Sequence, residues 1–286
     1  MPIHPSDRSH GRLMLAIAAT ALLLTPAGCG QEDSAQTQEP ESFSSARAAP
    51  AESPEVAALR QTIAGNPDDV RAHLALGRLL SEAEQHQEAI QHFERAVQLS
   101  PTRGNLFNLA IASAAAMHLN EAQATLKQIL ASSPDHEQTL HKLGNLELQM
   151  GHKEAAIDYL WQAIQARPNN VMASYDLANI YKFYGEYEGA VNLYQSIIRI
   201  EPRSAEEQSA RADSLYQIAA IEVARGKNEQ AEQLLAQLLR RVPDHPRAHY
   251  TRGQALMQLG RDDEAQLEFA RHIQLLQQLP VTSGME

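Results

Sequence analysis

The stretch from Glu137 to Pro202 repeats itself at an offset of 34 residues. Leu143 falls on Leu177, Gly144 on Ala178, Gly151 on Gly185, Ala156 on Ala190 and Pro168 on Pro202. A fixed interval of this size marks a repeat architecture, in which one supersecondary unit is stacked many times. Within the unit, Leu140, Leu143 and Leu146 recur at helical spacing until Gly151, which is able to adopt the left-handed backbone that ends a helix. Ala156, Leu160, Ala163 and Ile164 then mark one face of a second helix, and Pro168 closes it. The unit is therefore helix, turn, helix, turn. Small residues at Gly144 and Ala156 let the two helices cross closely.

The pattern resembles the tetratricopeptide repeat, a 34-residue helical hairpin. Numbered 1 to 34, that family's unit has Leu at 7, a small residue at 8, Gly near 15, Ala at 20, a bulky apolar residue at 24, a small one at 27 and Pro at 32. The resemblance covers about residues 54–279, with units starting near Val70, Arg103, Glu137, Val171, Ala212 and Pro246. Position 20 is Ala89, Ala122, Ala156, Ala190, Ala231 and Ala265, and position 8 is Gly77, Ala110, Gly144, Ala178, Ala219 and Gly253. Closing prolines stand at Pro101, Pro134, Pro168, Pro202 and Pro243. The resemblance implies an all-α, right-handed superhelical solenoid of six units, with residues 54–69 as a capping helix and the solenoid over 70–279. In such a stack each repeat packs only on its neighbours, and no single core forms.

Departures from the pattern carry expectations of their own. Ile129, Ile197, Leu238 and His272 at position 27 predict looser or shifted packing. Arg252 replaces Leu at position 7 of the last unit, and Glu84 and Met117 replace Gly at position 15 of the first two. The interval from Pro202 to Pro243 is seven residues longer than the repeat, close to two helical turns. With Ser204 and Glu207 as a capping box, this predicts one long helix over about 205–225 that overhangs the stack. It is either a contact ledge or a tolerated elongation. The final helix, about 262–279, carries Gln274, Gln277 and Gln278, which predict a polar outer face for a terminal unit. Residues 280–286 are expected to fray.

Ahead of the repeats, Arg8 and Arg12 precede an apolar run of about 12 residues, too short to span a bilayer. This reads as a signal segment over residues 1–28. Ala27, Gly28 and Cys29 resemble a bacterial lipobox, although Pro26 stands where Leu is usual. Cys29 is the only cysteine, so no internal disulfide is available and lipidation is its expected role. Gly30 and Gln31 follow it, which by that resemblance implies the periplasmic face of the outer membrane. Residues 29–53 then form a polar linker that lacks the apolar surface to order itself. Its reach is about 25–30 Å.

The formal charge of −11 argues against a nucleic-acid ligand, whose phosphates need clustered Lys and Arg. No phosphate loop, nucleophile elbow or metalloprotease motif occurs, so no catalytic residue, metal or cofactor is expected. Pro-Asp-His occurs twice, ending at His136 and His245, and reads as turn chemistry. The resemblance implies that positions 2, 5, 9, 12 and 13 face a concave groove. The candidate partner-binding set is Phe107, His141, Tyr175, Tyr216 and Tyr250 at position 5, Asn145, Asn179 and Gln254 at position 9, and Lys182 with Phe183 beside them. Aromatic rings with polar tips and side-chain amides suit an extended peptide or an amphipathic helix. Lys is absent from position 5, which excludes the family's carboxylate-clamp variant. The expected function is a non-enzymatic scaffold tethered to the bacterial envelope. The alternative is a lipoprotein of an export or polysaccharide-handling machine that binds a glycan or small ligand.

Overall fold

A computed structural model describes residues 53–278. The signal segment, Cys29, the linker to residue 52 and the tail from residue 279 lie outside the described residues. Thirteen α-helices make up the described chain, with no strand among them. They are α1 (Pro54–Gly65), α2 (Val70–Glu82), α3 (His86–Leu99), α4 (Arg103–Ala115), α5 (Leu119–Ser132), α6 (Glu137–Gln149), α7 (Lys153–Ala166), α8 (Val171–Phe183), α9 (Tyr187–Arg199), α10 (Ala205–Ala224), α11 (Asn228–Arg241), α12 (Pro246–Gln258) and α13 (Asp262–Gln278). From α2 onward they form six antiparallel hairpins, each packed on the next. Helix α1 adds Val56, Leu59 and Ile63 to the apolar cluster of the first hairpin and buries no residue fully.

The two turns of each unit are built differently. Every first helix of a hairpin starts at a side-chain cap: Asp69, Thr102, His136, Asn170, Ser204 or His245 accepts from a backbone N–H of the first turn. This satisfies donors that a helix start leaves without partners. The Pro-Asp-His turns thus supply two of the six caps through histidine nitrogens. Inside each hairpin the turn needs one residue in the left-handed region, and six positions in register provide it. Four are glycines, Gly151, Gly185, Gly226 and Gly260; the other two are Glu84 at φ 60° and Met117 at φ 64°. The next residue's N–H then returns to the carbonyl of the first helix, as Gln85 does to Leu80 and His152 does to Glu147. The departures from Gly therefore leave the backbone path unchanged and load it with strain. A left-handed side-chain-bearing residue costs about 1–2 kcal/mol. Glu84→Gly is expected to raise unfolding free energy by about 1 kcal/mol, the unfolded-state entropy of Gly offsetting part of the relief. Urea unfolding of the variant beside the parent checks this.

Burial follows the repeat. Leu76, Leu143, Leu160, Leu177, Tyr194, Ile197, Leu235 and Leu238 are wholly enclosed. They fall into separate clusters along the stack, the largest running from Leu140 to Ile221. Close crossing explains the position-8 glycines. A Cβ on Gly144 would come within 2.7 Å of Leu160 Cγ, and one on Gly77 within 2.8 Å of the Phe93 ring. At position 27 the expected looseness is absent. Ile129, Ile197 and Leu238 are each 0% exposed, the neighbouring units having closed around the larger side chains. His272 Nδ1 lies 3.0 Å from the Pro246 carbonyl, so that position is held by a polar contact. Helix α10 spans 20 residues from a Ser204 cap, and the Glu207 carboxylate accepts from Arg203 N–H. Residues 205 and 206 of its first turn are exposed, and its first buried residue is Ala210. On α13 the polar outer face is only half the picture: Gln274, Gln277 and Gln278 are exposed, and so are Leu267 and Ile273. No helix among the described residues is long and apolar enough to cross a membrane.

Candidate functional site

Position 5 does place its side chains along one side of the first helices, yet the rings are engaged by neighbours. The Tyr175 hydroxyl donates to Asp213 Oδ2 at 2.5 Å, and its ring lies 6.1 Å from that of Tyr194. Burial, reinforced by the Asp213 carboxylate, pushes the Tyr175 phenol up to about 12. His141 Nε2 lies 2.6 Å from Asp176 Oδ2, and Asn145 Nδ2 donates to the same oxygen at 2.9 Å. Lys182 Nζ donates to Gln217 Oε1, whose amide nitrogen donates to Asp213. Asn179 accepts from the Tyr194 hydroxyl at 2.6 Å. His141 and Asn145 are thus tied to the fourth unit through Asp176, and Tyr175 and Lys182 to the fifth through Asp213 and Gln217, while Asn179 is held within its own unit. Such cross-repeat pairs fix how the first-helix face is presented as well as what lies on it.

The other rings sit apart from this group. Phe107 meets the His136 ring edge-on at 6.4 Å, and Tyr216 lies 5.4 Å from His245. Both histidines are the caps that accept a backbone N–H through Nδ1. Burial holds each ring below the ordinary histidine pKa of 6.5. The folded state therefore keeps a bare Nδ1 where the unfolded chain takes up a proton. That stabilisation is complete above pH 6.5 and is lost as pH falls through the depressed folded values. The thermal midpoint is expected to drop between about pH 7.5 and about pH 5, and the drop to shrink in a His136→Asn, His245→Asn chain, since Asn caps without titrating. Tyr250 is packed by Phe269 and His272, and Gln254 is half-buried beside it.

Two adjoining clefts open on the same side. The larger, about 610 Å³, gathers four candidate residues: Asn145, Asn179, Lys182 and Phe183. Leu148, Asp176, Ile180 and Tyr184 complete it. Phe183 is 80% exposed and meets Tyr184 edge-on at 5.0 Å, while Lys153 Nζ sits 3.8 Å over the Tyr184 ring. The second cleft, about 470 Å³, is lined by Lys182, Gln217, Ile221, Ala224 and Arg225, with Tyr187 at its edge. Lys182 is common to both. His141 and Tyr175 line neither cleft: His141 is bonded to Asp176 of the larger one, and Tyr175 to Asp213, which accepts from Gln217 of the second; Phe107, Tyr216, Tyr250 and Gln254 line neither. Leu148 and Asp213 stand at positions 12 and 2, where register alone would have found them. Asp176 and Gln217 stand at position 6, which the concave set omits. Among the described residues no group of three or more His, Cys, Asp or Glu is placed to hold a metal ion.

Stacked helical hairpins, a left-handed residue in each internal turn and a cleft on the first-helix face define a helical-repeat protein. Comparison with known families gives the same class its name. The TPR domain of cytochrome c-type biogenesis protein H matches residues 55–170, and tetratricopeptide-repeat families match 147–213 and 216–280. Residues 55–280 are thus built of tetratricopeptide repeats. Relatives include anaphase-promoting complex subunit 3 of Schizosaccharomyces pombe, 21% identical over 73% of this chain and 30% of its own length. Cellulose synthase operon protein C of Komagataeibacter xylinus is 29% identical over 54% of this chain and 12% of its own. A tetratricopeptide repeat-containing protein of Caenorhabditis elegans is 25% identical over 49% and 18%. The chain thus spans well under half the length of each. Among solved structures, PilF of Pseudomonas aeruginosa aligns at TM-score 0.53 and 19% identity, covering 66% of this chain and 84% of its own. A repeat protein from Parabacteroides merdae aligns at 0.51 and 18%, covering 77% and 85%. At these identities the likeness is one of fold.

Proposed function

We propose that the chain is a non-enzymatic scaffold that holds a partner peptide or helix on the concave side of its repeats, tethered to the periplasmic face of a bacterial outer membrane through lipidated Cys29. The observation that carries the binding role is the 610 Å³ cleft, where an 80% exposed Phe183 stands beside Leu148, Ile180 and the amides of Asn145 and Asn179. A large apolar ring left in water next to donors and acceptors is what a peptide side chain and its backbone engage together. The charged signal segment and its terminal Cys29 support the tether.

A photo-crosslinking residue in place of Leu148, in cells, tests the cleft. A protein adduct is expected, and Phe183→Glu is expected to cut it about tenfold, the size of a substantial interface contact. Absence of any protein adduct would remove the peptide reading. A Cys29→Ser chain that still fractionates with membranes would remove the tether. The match to cellulose synthase operon protein C supports a second reading, in which the cleft handles a glycan. Against it, Tyr175 lies tilted against Tyr194 and is hydrogen-bonded to Asp213 inside the chain, so the ladder of open rings that sugar stacking needs is interrupted. Retention on immobilised β-glucan, abolished by Phe183→Glu, would favour the second reading.

A further inference from the structure

Helix α13 has a solvent face that is self-complementary. Ala265 and Leu275 turn inward, 1% and 6% exposed. The opposite face carries Asp263, Gln266, Leu267, Ala270, Ile273, Gln274 and Gln277 at helical spacing, all of them exposed. Leu267 is 72% and Ile273 55% exposed. Neither belongs there by repeat register. Position 22 is Gln91, Ala124, Asp158, Asn192 and Gln233 in the earlier units, all small or polar and exposed. Position 28 is Val97, Leu130, Ile164, Ile198 and Leu239, each packed into a cluster shared with its neighbours. Only the last unit puts Leu at 22 and leaves its position-28 side chain largely in water.

The order of residues says what fits. A two-fold axis at Ala270, with the second helix antiparallel, sets Leu267 level with Ile273 of the second copy, Gln266 with its Gln274 and Asp263 with its Gln277. Each apolar side chain meets the other's apolar side chain, each amide an amide, and the Asp263 carboxylate meets an amide donor. Ala270, at the axis, is small enough for close approach. No like charges face one another near the axis: Arg271 is turned to Asp244 at 2.6 Å, and Glu268 to His249 and Arg252. We infer that this face is the seat of a two-fold symmetric dimer, α13 against α13 of a second copy. It lies apart from the cleft, so one dimer presents two clefts.

The test uses the whole protein as expressed in cells. Helices crossing at a small residue bring facing Cα atoms to disulfide distance. Ala270→Cys, oxidised with copper phenanthroline, is expected to give a species of twice the mass of the unlinked chain. The parent, which retains Cys29, and Gln91→Cys on α3 are expected to give none. Adding Leu267→Glu to Ala270→Cys is expected to cut the product about tenfold, as a carboxylate is then set against Ile273 of the second copy with no partner for its charge. Co-expressed Leu267→Cys and Ile273→Cys chains provide a second pair whose cross-link requires the same register. Loss of both cross-links, equal dimer from Gln91→Cys, or an adduct of Cys at 270 with a different protein would each overturn the proposal.

Discussion

Leu177→Ala is expected to cost about 3 kcal/mol, within the range for truncating a fully buried leucine. Leu177 is 0% exposed and belongs to the largest cluster, which joins the third, fourth and fifth units. The cavity left by three carbons lies where no solvent reaches, so water cannot fill it. The position of the damage matters as much as its size. Repeat stacks unfold as a sum of local and nearest-neighbour terms; the first-unit cluster around Leu76 shares no residue with this one, and the fifth-unit cluster around Leu235 meets it through Ile198 and Leu234. The chain has one tryptophan, Trp161, whose indole N–H donates to the Tyr181 hydroxyl at 3.0 Å across the junction of α7 and α8. Its fluorescence therefore reports on the centre, while circular dichroism reports on all helices. In urea the fluorescence midpoint of Leu177→Ala is expected to fall below the circular-dichroism midpoint. Leu76→Ala is expected to move only the latter. Coincident shifts in both probes for both variants would mean that the stack melts as one cooperative block.

The repeat was legible in the sequence because its constraints are local and periodic. Alanine at position 20 and Gly or Ala at position 8 sit where two helix axes cross, and a Cβ there meets the partner side chain within 3 Å at Gly77, Gly144 and Gly253. Less legible were positions where the backbone rule held while the residue type did not. Glu84 and Met117 follow the same left-handed path as the glycines, which the pattern alone presents as a gap. Least legible was the state of the candidate site. Register puts Tyr175, His141 and Asp213 on one face; it omits Asp176, and it is silent on the hydrogen bonds by which Asp213 and Asp176, 38 and 35 residues later in the following unit, engage the two rings. What separates an open ring from an occupied one is therefore a contact between repeats, and the interval of 34 carries no record of it.

Arg252→Leu sharpens the same point, because the repeat pattern and the structure disagree about its sign. Leu at position 7 is what the other units suggest, so restoring it would be expected to stabilise. In the structure Arg252 donates to Glu232 of α11 through Nε at 3.1 Å and Nη2 at 2.6 Å. Its Nη1 donates to Glu268 of α13 at 2.6 Å, and the other Glu268 oxygen lies 2.5 Å from His249 Nδ1. One guanidinium thus ties three helices, and its planar fork suits two carboxylates at once. The three side chains are 22%, 15% and 14% exposed. Removing the cation leaves two mostly desolvated carboxylates close together. Breaking a fully buried pair costs about 3–5 kcal/mol, and the remaining solvent contact here reduces that to about 2 kcal/mol. Arg252→Leu is therefore expected to destabilise the last unit by about that amount, measured by urea unfolding. Glu232→Leu and Glu268→Gln added to it are expected to recover most of the loss, since no buried charge is then left without its counter-ion. A neutral or stabilising Arg252→Leu would show that the carboxylates are hydrated after all, and that the cluster holds the end of the stack no better than a leucine would.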